Sequence, residues 1–395
     1  MRKIIPHPSY LILHTSFRNI IGAGKRTWLN VTVLSFTFVM MVIYNGLIDG
    51  WQQEAYRDTE NWETGAGQIW HPQYDRFDVF TLQDAHATVP TELQTYVANR
   101  TLTPILITQG VVYPQGRMQN ILLKGIDPNQ QILSIPSQKL SQTDEIYVLI
   151  GSRMAKSTNL KQGDRVMIRW RDKNGVFDAL EILIADIFDT KVPSVDAGQI
   201  WLNLHTLQKM TGMPDEATCL IKSKDCPVNN DVDGWSYRDV DFLTADIRAM
   251  IASNRAESVV IFSILLAIAL LAVFDTQTLA IFRRRKEIGT YIALGMTPKQ
   301  VIRLFTLEGT SFSILAILAG CVWGTPLLLW FAKTGFKMPE IEMDAVMGDT
   351  IYPAYELSSI VTAIVLIVCL SALISYLPAR KIAKQNVVNA LKGKL

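Results

Sequence analysis

The chain of 395 residues is 49% hydrophobic with a mean hydropathy of +0.18, high for a protein that folds in water. Its 38 basic and 36 acidic side chains leave a net charge of +2, so the overall balance offers no footing for nucleic acid. The length allows two domains, and the apolar residues are concentrated in a few long runs rather than spread evenly.

Residues 1–27 come first. Leu13, Phe17, Ile20 and Ile21 recur at helical spacing with Arg18 and Lys25 off that stripe, which predicts an amphipathic helix lying on a membrane surface or packed on a partner. Residues 28–48 are the first of four runs long enough to cross a bilayer core of about 30 Å, which takes roughly 20 helical residues. The others are 259–282, 309–332 and 357–377.

The insert 49–258 begins with a polar helical run after Gly50 and ends with one leading into the second span. At about 1.5 Å per residue these would form two stalks of some 15–25 Å. Between them the pattern turns to strands and tight turns. One hairpin is expected near 105–113 and 118–125, turning at Pro114, Gln115, Gly116 and Arg117. A second is expected around Asn174-Gly175, where Val166, Ile168 and Trp170 alternate with Met167, Arg169 and Arg171. A helix is expected near 203–211, and a β-rich lobe near 141–200. The fold class is therefore an α-helical membrane protein with four transmembrane helices and a large α+β domain inserted between the first two.

Lys and Arg in the short flanks set the orientation. Arg2, Lys3, Arg18, Lys25 and Arg26 precede the first span. Arg283, Arg284, Arg285, Lys286, Lys299 and Arg303 fill the 283–308 loop, and Arg380, Lys381, Lys384, Lys392 and Lys394 lie in the tail 378–395. The loop 333–356 is acidic by comparison. Both termini and the 283–308 loop are expected in the cytoplasm, with the insert on the far side.

No enzyme chemistry stands out. GAGKRT before the first span lacks the leading Gly and the trailing Ser or Thr of a phosphate-binding loop. HExxH and GxSxG are absent, and the five histidines are scattered, so no metal or resident cofactor is expected. Cys321 and Cys369 fall in apolar spans, whereas Cys219 and Cys226 lie close together in the insert, either as a disulfide or as two free thiols. Asp275 is an acid inside the second span: either a polar contact to a neighbouring helix or subunit, or an interfacial carboxylate shielded by the arginines. Gly46 with Gly50, and Gly320 with Gly324, are small pairs that let helices approach closely. Pro326 should kink the third span.

The stretch 282–301, FRRRKEIGTYIALGMTPKQV, reads as a docking element. The arginines hold the end of span two, and Glu287, Ile288, Thr290, Tyr291, Ala293 and Leu294 form a short helix that Gly295 terminates. A new helix opens at Thr297, with Pro298 at its first position and Gln300 placed for a capping box.

That stretch, with SFRNIIGAGKRTWLNVTV, NGLIDG and the ending YLPARKIAKQNVVNALKGKL, resembles the FtsX-like (MacB-type) permeases of ABC transporters. LLKGIDP and IGSRMAKSTNLKQGDRVMIRW are similar to the lipoprotein-releasing subgroup. The resemblance implies a bacterial inner-membrane subunit that pairs with a second permease and with two ATPase subunits, which carry the ATP and Mg. It implies that no substrate passes through the spans: ATP-driven movement is relayed to the outer domain, a process called mechanotransmission. Glu287, Ile288, Gly289, Tyr291, Ala293, Leu294 and Gly295 would be the ATPase-coupling residues. The hairpin Pro114–Arg117 would contact a periplasmic carrier, and Met40, Tyr44, Gly46, Leu47, Gly50 and Phe262 would line an apolar cargo cavity or dimer seam. At Asp275 the family more often carries Asn. Export of a peptide or drug, activation of a cell-wall hydrolase, and an ATP-independent membrane sensor are the alternatives to lipoprotein release.

Overall fold

The computed structural model describes residues 25–142, 145–293, 295–337 and 350–383. The amphipathic helix expected before residue 25 and the basic tail after 383 lie outside them, as does Leu294. Helix α1 (Lys25–Thr59) is the first of the described elements. Strands β1 (Gln68–Trp70), β2 (Leu102–Val112), β3 (Gln119–Ile126) and β4 (Tyr147–Gly151) follow, then helix α2 (Ser152–Thr158). Next come β5 (Arg165–Arg171), β6 (Phe177–Phe188), β7 (Gln199–Asn203), α3 (Leu204–Thr211), β8 (Cys219–Lys222) and β9 (Ser236–Arg238). The chain continues through helices α4 (Ala245–Arg283), α5 (Arg285–Ala293), α6 (Pro298–Thr334) and α7 (Leu357–Ala383).

Two compact units result: one combines residues up to Trp51, 251–339 and 349 onward, and the other is essentially 52–250. Among the described residues four helices are long and apolar enough to cross a membrane, and they belong to α1, α4, α6 and α7. In this unit the helices bury Val31, Leu34, Phe38 and Val42 of α1 against Leu266, Ala269, Leu270 and Val273 of α4, with Ala316 of α6 and Ala363 and Ile367 of α7. The α4 residues recur at intervals of three and four, the stripe that keeps one side of a helix inward. The Gly320/Gly324 pair receives α1: a Cβ would lie 2.8 Å from Phe38 Cδ1 at Gly320 and 2.6 Å from Val39 Cγ2 at Gly324. Pro326 sits inside α6.

The other unit is built on one nine-stranded sheet, in the order β9-β1-β8-β2-β3-β7-β4-β6-β5, with β2 also pairing to β5. That last pairing joins Gly110, Val111 and Val112 to Trp170, Arg169 and Ile168, so six strands close into a barrel. Gly110 stands where β2 is shared, and a Cβ there would come within 3.0 Å of Leu123. Leu106, Leu123, Val148, Ile150, Val166, Ile168, Trp170, Ile182, Ile184, Ile200 and Leu202 point into the barrel, the alternate residues of each strand. The β-rich stretch expected near 141–200 is therefore not set apart, because its strands close onto the 102–126 hairpin.

Cys219 and Cys226 are free thiols, not a disulfide. Cys219 packs with Ile221, Trp70 and Ile105, whereas Cys226 packs with Leu220, Ile69 and Leu102. Successive residues of β8 point to opposite faces, and the two sulfurs belong to the cores on either side of the sheet. Burial pushes the Cys219 thiol up to about 12.

Candidate functional site: the short helix between the second and third spans

Helix α5 is as short as its sequence demands. The chain leaves α4 at Arg283, turns at Arg284 and runs helical only to Ala293. Gly295 takes φ of 96°, in the left-handed region that glycine adopts at no steric cost, and its N–H donates to Ile292 O at 3.0 Å. Helix α6 then starts with a complete capping box: Gln300 N–H donates to Thr297 Oγ1, Thr297 N–H donates to Gln300 Oε1 at 2.8 Å, and Pro298 occupies the first position.

The two sides of α5 differ in chemistry. Ile288 is 2% exposed and packs with Ile281 of α4, Val301 and Phe305 of α6 and Ala379 of α7. Ile292 joins that cluster from the next turn, and Gly289 is buried as well. On the other side Lys286, Glu287 and Thr290 are exposed. The resemblance treats these residues as one set, but here Ile288 packs into the bundle and Gly289 is buried, while Glu287 is exposed. Tyr291 and Ala293 lie within α5.

Arg284 has no counterpart in the expected site. Its Nε donates to Glu287 Oε2 at 2.7 Å, its Nη1 lies 3.2 Å and 3.4 Å from the two oxygens of Glu308, and its guanidinium carbon is 5.3 Å from the centre of the Phe305 ring. The Glu308 side chain is 5% exposed. Its one sequence signal was an acid at the threshold of an apolar run.

At the other end of the same unit, Gly46 and Gly50 do not form an open seam. They lie under the segment leading into α7: Ala354 N–H donates to Gly46 O at 2.8 Å, and a Cβ at Gly50 would fall 2.1 Å from Tyr352 O. A crevice too narrow to hold a water runs beside them, lined by Val42, Asn45, Asp49, Tyr355, Glu356 and Ser359. Asp49, also absent from the expected site, accepts from Arg255 Nη2 at 2.7 Å and from Ser359 Oγ at 3.0 Å, joining α1, α4 and α7. Met40 and Tyr44 are exposed one turn apart, and Tyr44 meets the buried Phe262 edge to face, with ring centres 5.3 Å apart. Leu47 continues that face and is half-buried. Asp275 is exposed on α4, with no ion-pair partner among the described residues.

In the sheet-rich unit the first hairpin turns through a short helical segment at Pro114–Gly116, with Gln115 at φ 52° and Gly116 at φ 79°. Arg117 and Met118 are exposed at the tip, while Tyr113 N–H donates to Met167 O of β5 at 3.0 Å. Among the described residues no group of three or more His, Cys, Asp or Glu is placed to hold a metal ion.

The nine-residue helix is held against a bundle of long apolar helices, and the large sheet-rich insert forms a unit of its own. Residues 259–387 match the FtsX-like permease C-terminal family model. The lipoprotein-releasing system transmembrane protein LolC of Xylella fastidiosa (strain Temecula1) is 21% identical over 246 residues, 57% of this chain and 59% of its own. The ABC transporter permease YtrF of Bacillus subtilis is 29% identical over 132 residues, 32% of this chain and 30% of its own. An uncharacterized ABC transporter permease of Methanocaldococcus jannaschii is 27% identical over 165 residues, 40% of this chain and 39% of its own. The chain thus spans 59% of the length of the LolC relative it matches. The similarities are to permeases of this kind, at low identity.

Proposed function

We propose that the chain is the permease subunit of an ATP-driven transporter of the bacterial inner membrane, with both termini in the cytoplasm and the sheet-rich unit on the periplasmic side. It pairs with a second permease and binds two ATPase subunits, which hold the ATP and Mg. The observation that carries this reading is the two-sided character of α5. Ile288 and Ile292 pack on the bundle while Lys286, Glu287 and Thr290 face outward. Such a helix passes an external push into the spans on either side of it. Release of lipoproteins is the cargo reading we favour, supported by the similarity to LolC and by the apolar face of Met40, Tyr44 and Leu47. In this reading the tip Pro114–Arg117 hands cargo to a carrier.

The test is to isolate the full-length chain from membranes and identify the ATP-hydrolysing subunits and cargo that accompany it. Glu287→Arg should lose ATPase binding, or the cargo-stimulated hydrolysis, while the chain itself inserts normally. A Glu287→Arg chain that keeps full cargo release, or a wild-type chain that never associates with an ATPase, would overturn the proposal.

A further inference from the structure

Arg284 occupies the single residue between α4 and α5, where bending would concentrate if the two helices moved apart. The backbone stays hydrogen-bonded across that residue: Arg284 N–H donates to Ala280 O at 3.1 Å, and Ile288 N–H donates to Arg284 O at 3.0 Å. The side chain at the turn is fastened too. It reaches forward along α5 to Glu287 and across to Glu308 inside α6, with Phe305 beneath the guanidinium. Glu308 is nearly sealed from solvent, where an ion pair with a guanidinium is strongly orientation-dependent.

A buried ion pair is a poor way to gain stability, since apolar side chains of similar volume usually do as well. What the pair supplies is geometry. The planar guanidinium presents its donors in fixed directions, and a carboxylate in a low-dielectric setting tolerates little displacement before its charge is left uncompensated. Tilting α5 against α6 would pull Nη1 away from both Glu308 oxygens at once. The apolar contacts of Ile288 with Val301 and Phe305 could slide by comparison, because dispersion is not directional.

We infer that Arg284 and Glu308 are a positioning joint that makes α4, α5 and the start of α6 move as one body. As a device for passing on ATPase movement, the joint rests on the function proposed above; as a mechanical element, it stands on the geometry alone. Neither residue contacts a partner in this role, and both act through the position they give to Glu287 and Thr290.

The test uses the full-length chain in lipid nanodiscs, in a Cys321→Ser/Cys369→Ser background. Spin labels go on Thr290→Cys in α5 and Arg303→Cys in α6, both exposed positions. The intact chain should give one narrow distance distribution. Glu308→Gln, which keeps the shape and removes the charge, should lose that narrow peak in a chain that still folds, with a lowered melting temperature. The exchange Arg284→Glu/Glu308→Arg should restore it. If Glu308→Gln fails to fold, Arg284→Gln replaces it, at a position where the side chain is 20% exposed. An unchanged peak in the single variant, or a peak still broad after the exchange in a chain of wild-type melting temperature, overturns the joint. With ATPase subunits added, Glu308→Gln should bind them yet release less cargo per ATP hydrolysed, whereas Glu287→Arg loses binding. Failure of the wild-type chain to bind any ATPase would sink the proposed function and leave the distance measurement to decide the joint.

Discussion

Replacing Gly50 by alanine tests how α1 is held against the segment before α7. A Cβ at Gly50 would lie 2.1 Å from Tyr352 O, 2.9 Å from Ala354 N and 3.0 Å from Pro353 Cα. All three are backbone atoms, so no side chain can rotate aside and the segment itself has to shift. Overpacking of this kind typically costs about 1–3 kcal/mol. Against it stands a gain of roughly 1 kcal/mol for alanine over glycine inside a helix. At Gly46 the added Cβ would meet Tyr355 Cε1 at 2.5 Å and Cδ1 at 2.6 Å, atoms of a side-chain ring whose buried hydroxyl has no hydrogen-bond partner among the described residues. Swinging that ring away breaks no hydrogen bond among the described residues, so Gly46→Ala should be close to neutral while Gly50→Ala is destabilised by up to about 2 kcal/mol. Melting of the detergent-purified chain, followed by tryptophan fluorescence, should place Gly50→Ala a few degrees below both the wild type and Gly46→Ala, at about 2–4 °C per kcal/mol. Equal melting temperatures for the two variants would refute the argument, because they would mean the segment yields as easily as a side chain.

Asp49→Asn should weaken the tie between α1, α4 and α7 by about 1–3 kcal/mol, the range for hydrogen bonds to charged groups, read as a lowered melting temperature. Native-state labelling with a maleimide should leave Cys219 and Cys226 unmodified, since both are buried and the Cys219 thiol is pushed up to about 12; rapid labelling of either would contradict the packing described. Burial raises the Asp196 carboxyl above the usual range, opposed by hydrogen bonds from the Arg153 backbone at 3.0 Å and its Nη1 at 2.9 Å. The folded state therefore takes up this proton more readily than the unfolded chain, and the cost of holding the carboxylate ionised is removed as pH falls through the folded value. The stability this group contributes should rise as pH falls through its raised folded value, and Asp196→Asn should flatten that part of the profile in denaturant titrations.

Local chemistry was legible in the sequence. The capping box of Thr297 and Gln300, the stop at Gly295 and the turn at Asn174-Gly175 depend on residues a few positions apart, and helices and strands lie where those signals put them. The lengths of the apolar runs announced the four long helices. Contacts between distant residues were not legible. Nothing in VVY or MIRW says that β2 and β5 meet to close a barrel, because each strand alternates equally well in an open sheet. The two cysteines look like a pair in CLIKSKDC, yet Cys219 on its strand and Cys226 beyond the strand's end pack into different cores. The small pair Gly46/Gly50 signals close approach, but not that the approaching backbone is the chain's own Tyr352–Tyr355.

The same distinction separates the residues of α5 that sequence resemblance singles out from those that hold it in place. A pattern of apolar and polar positions describes one helix at a time, so it finds Ile288 and Glu287 as inner and outer positions of the same short segment. Arg284 reads there as one more cation in a row that caps a span, and Glu308 as an acid just before another. Only when α4 and α6 lie side by side do the two become a single contact, 24 positions apart in the chain. Asp49 is read in the same way: an acid at the end of one apolar run, paired with Arg255 of a helix 206 positions on. Each is a charge placed where an apolar residue would fill the space as well, and each ties together helices that apolar packing alone would leave free to slide. If the bundle works by moving as a few rigid pieces, such pairs mark the edges of the pieces. An arrangement in which both could be replaced by leucine without changing inter-helix distances would require that rigidity to come from apolar packing alone.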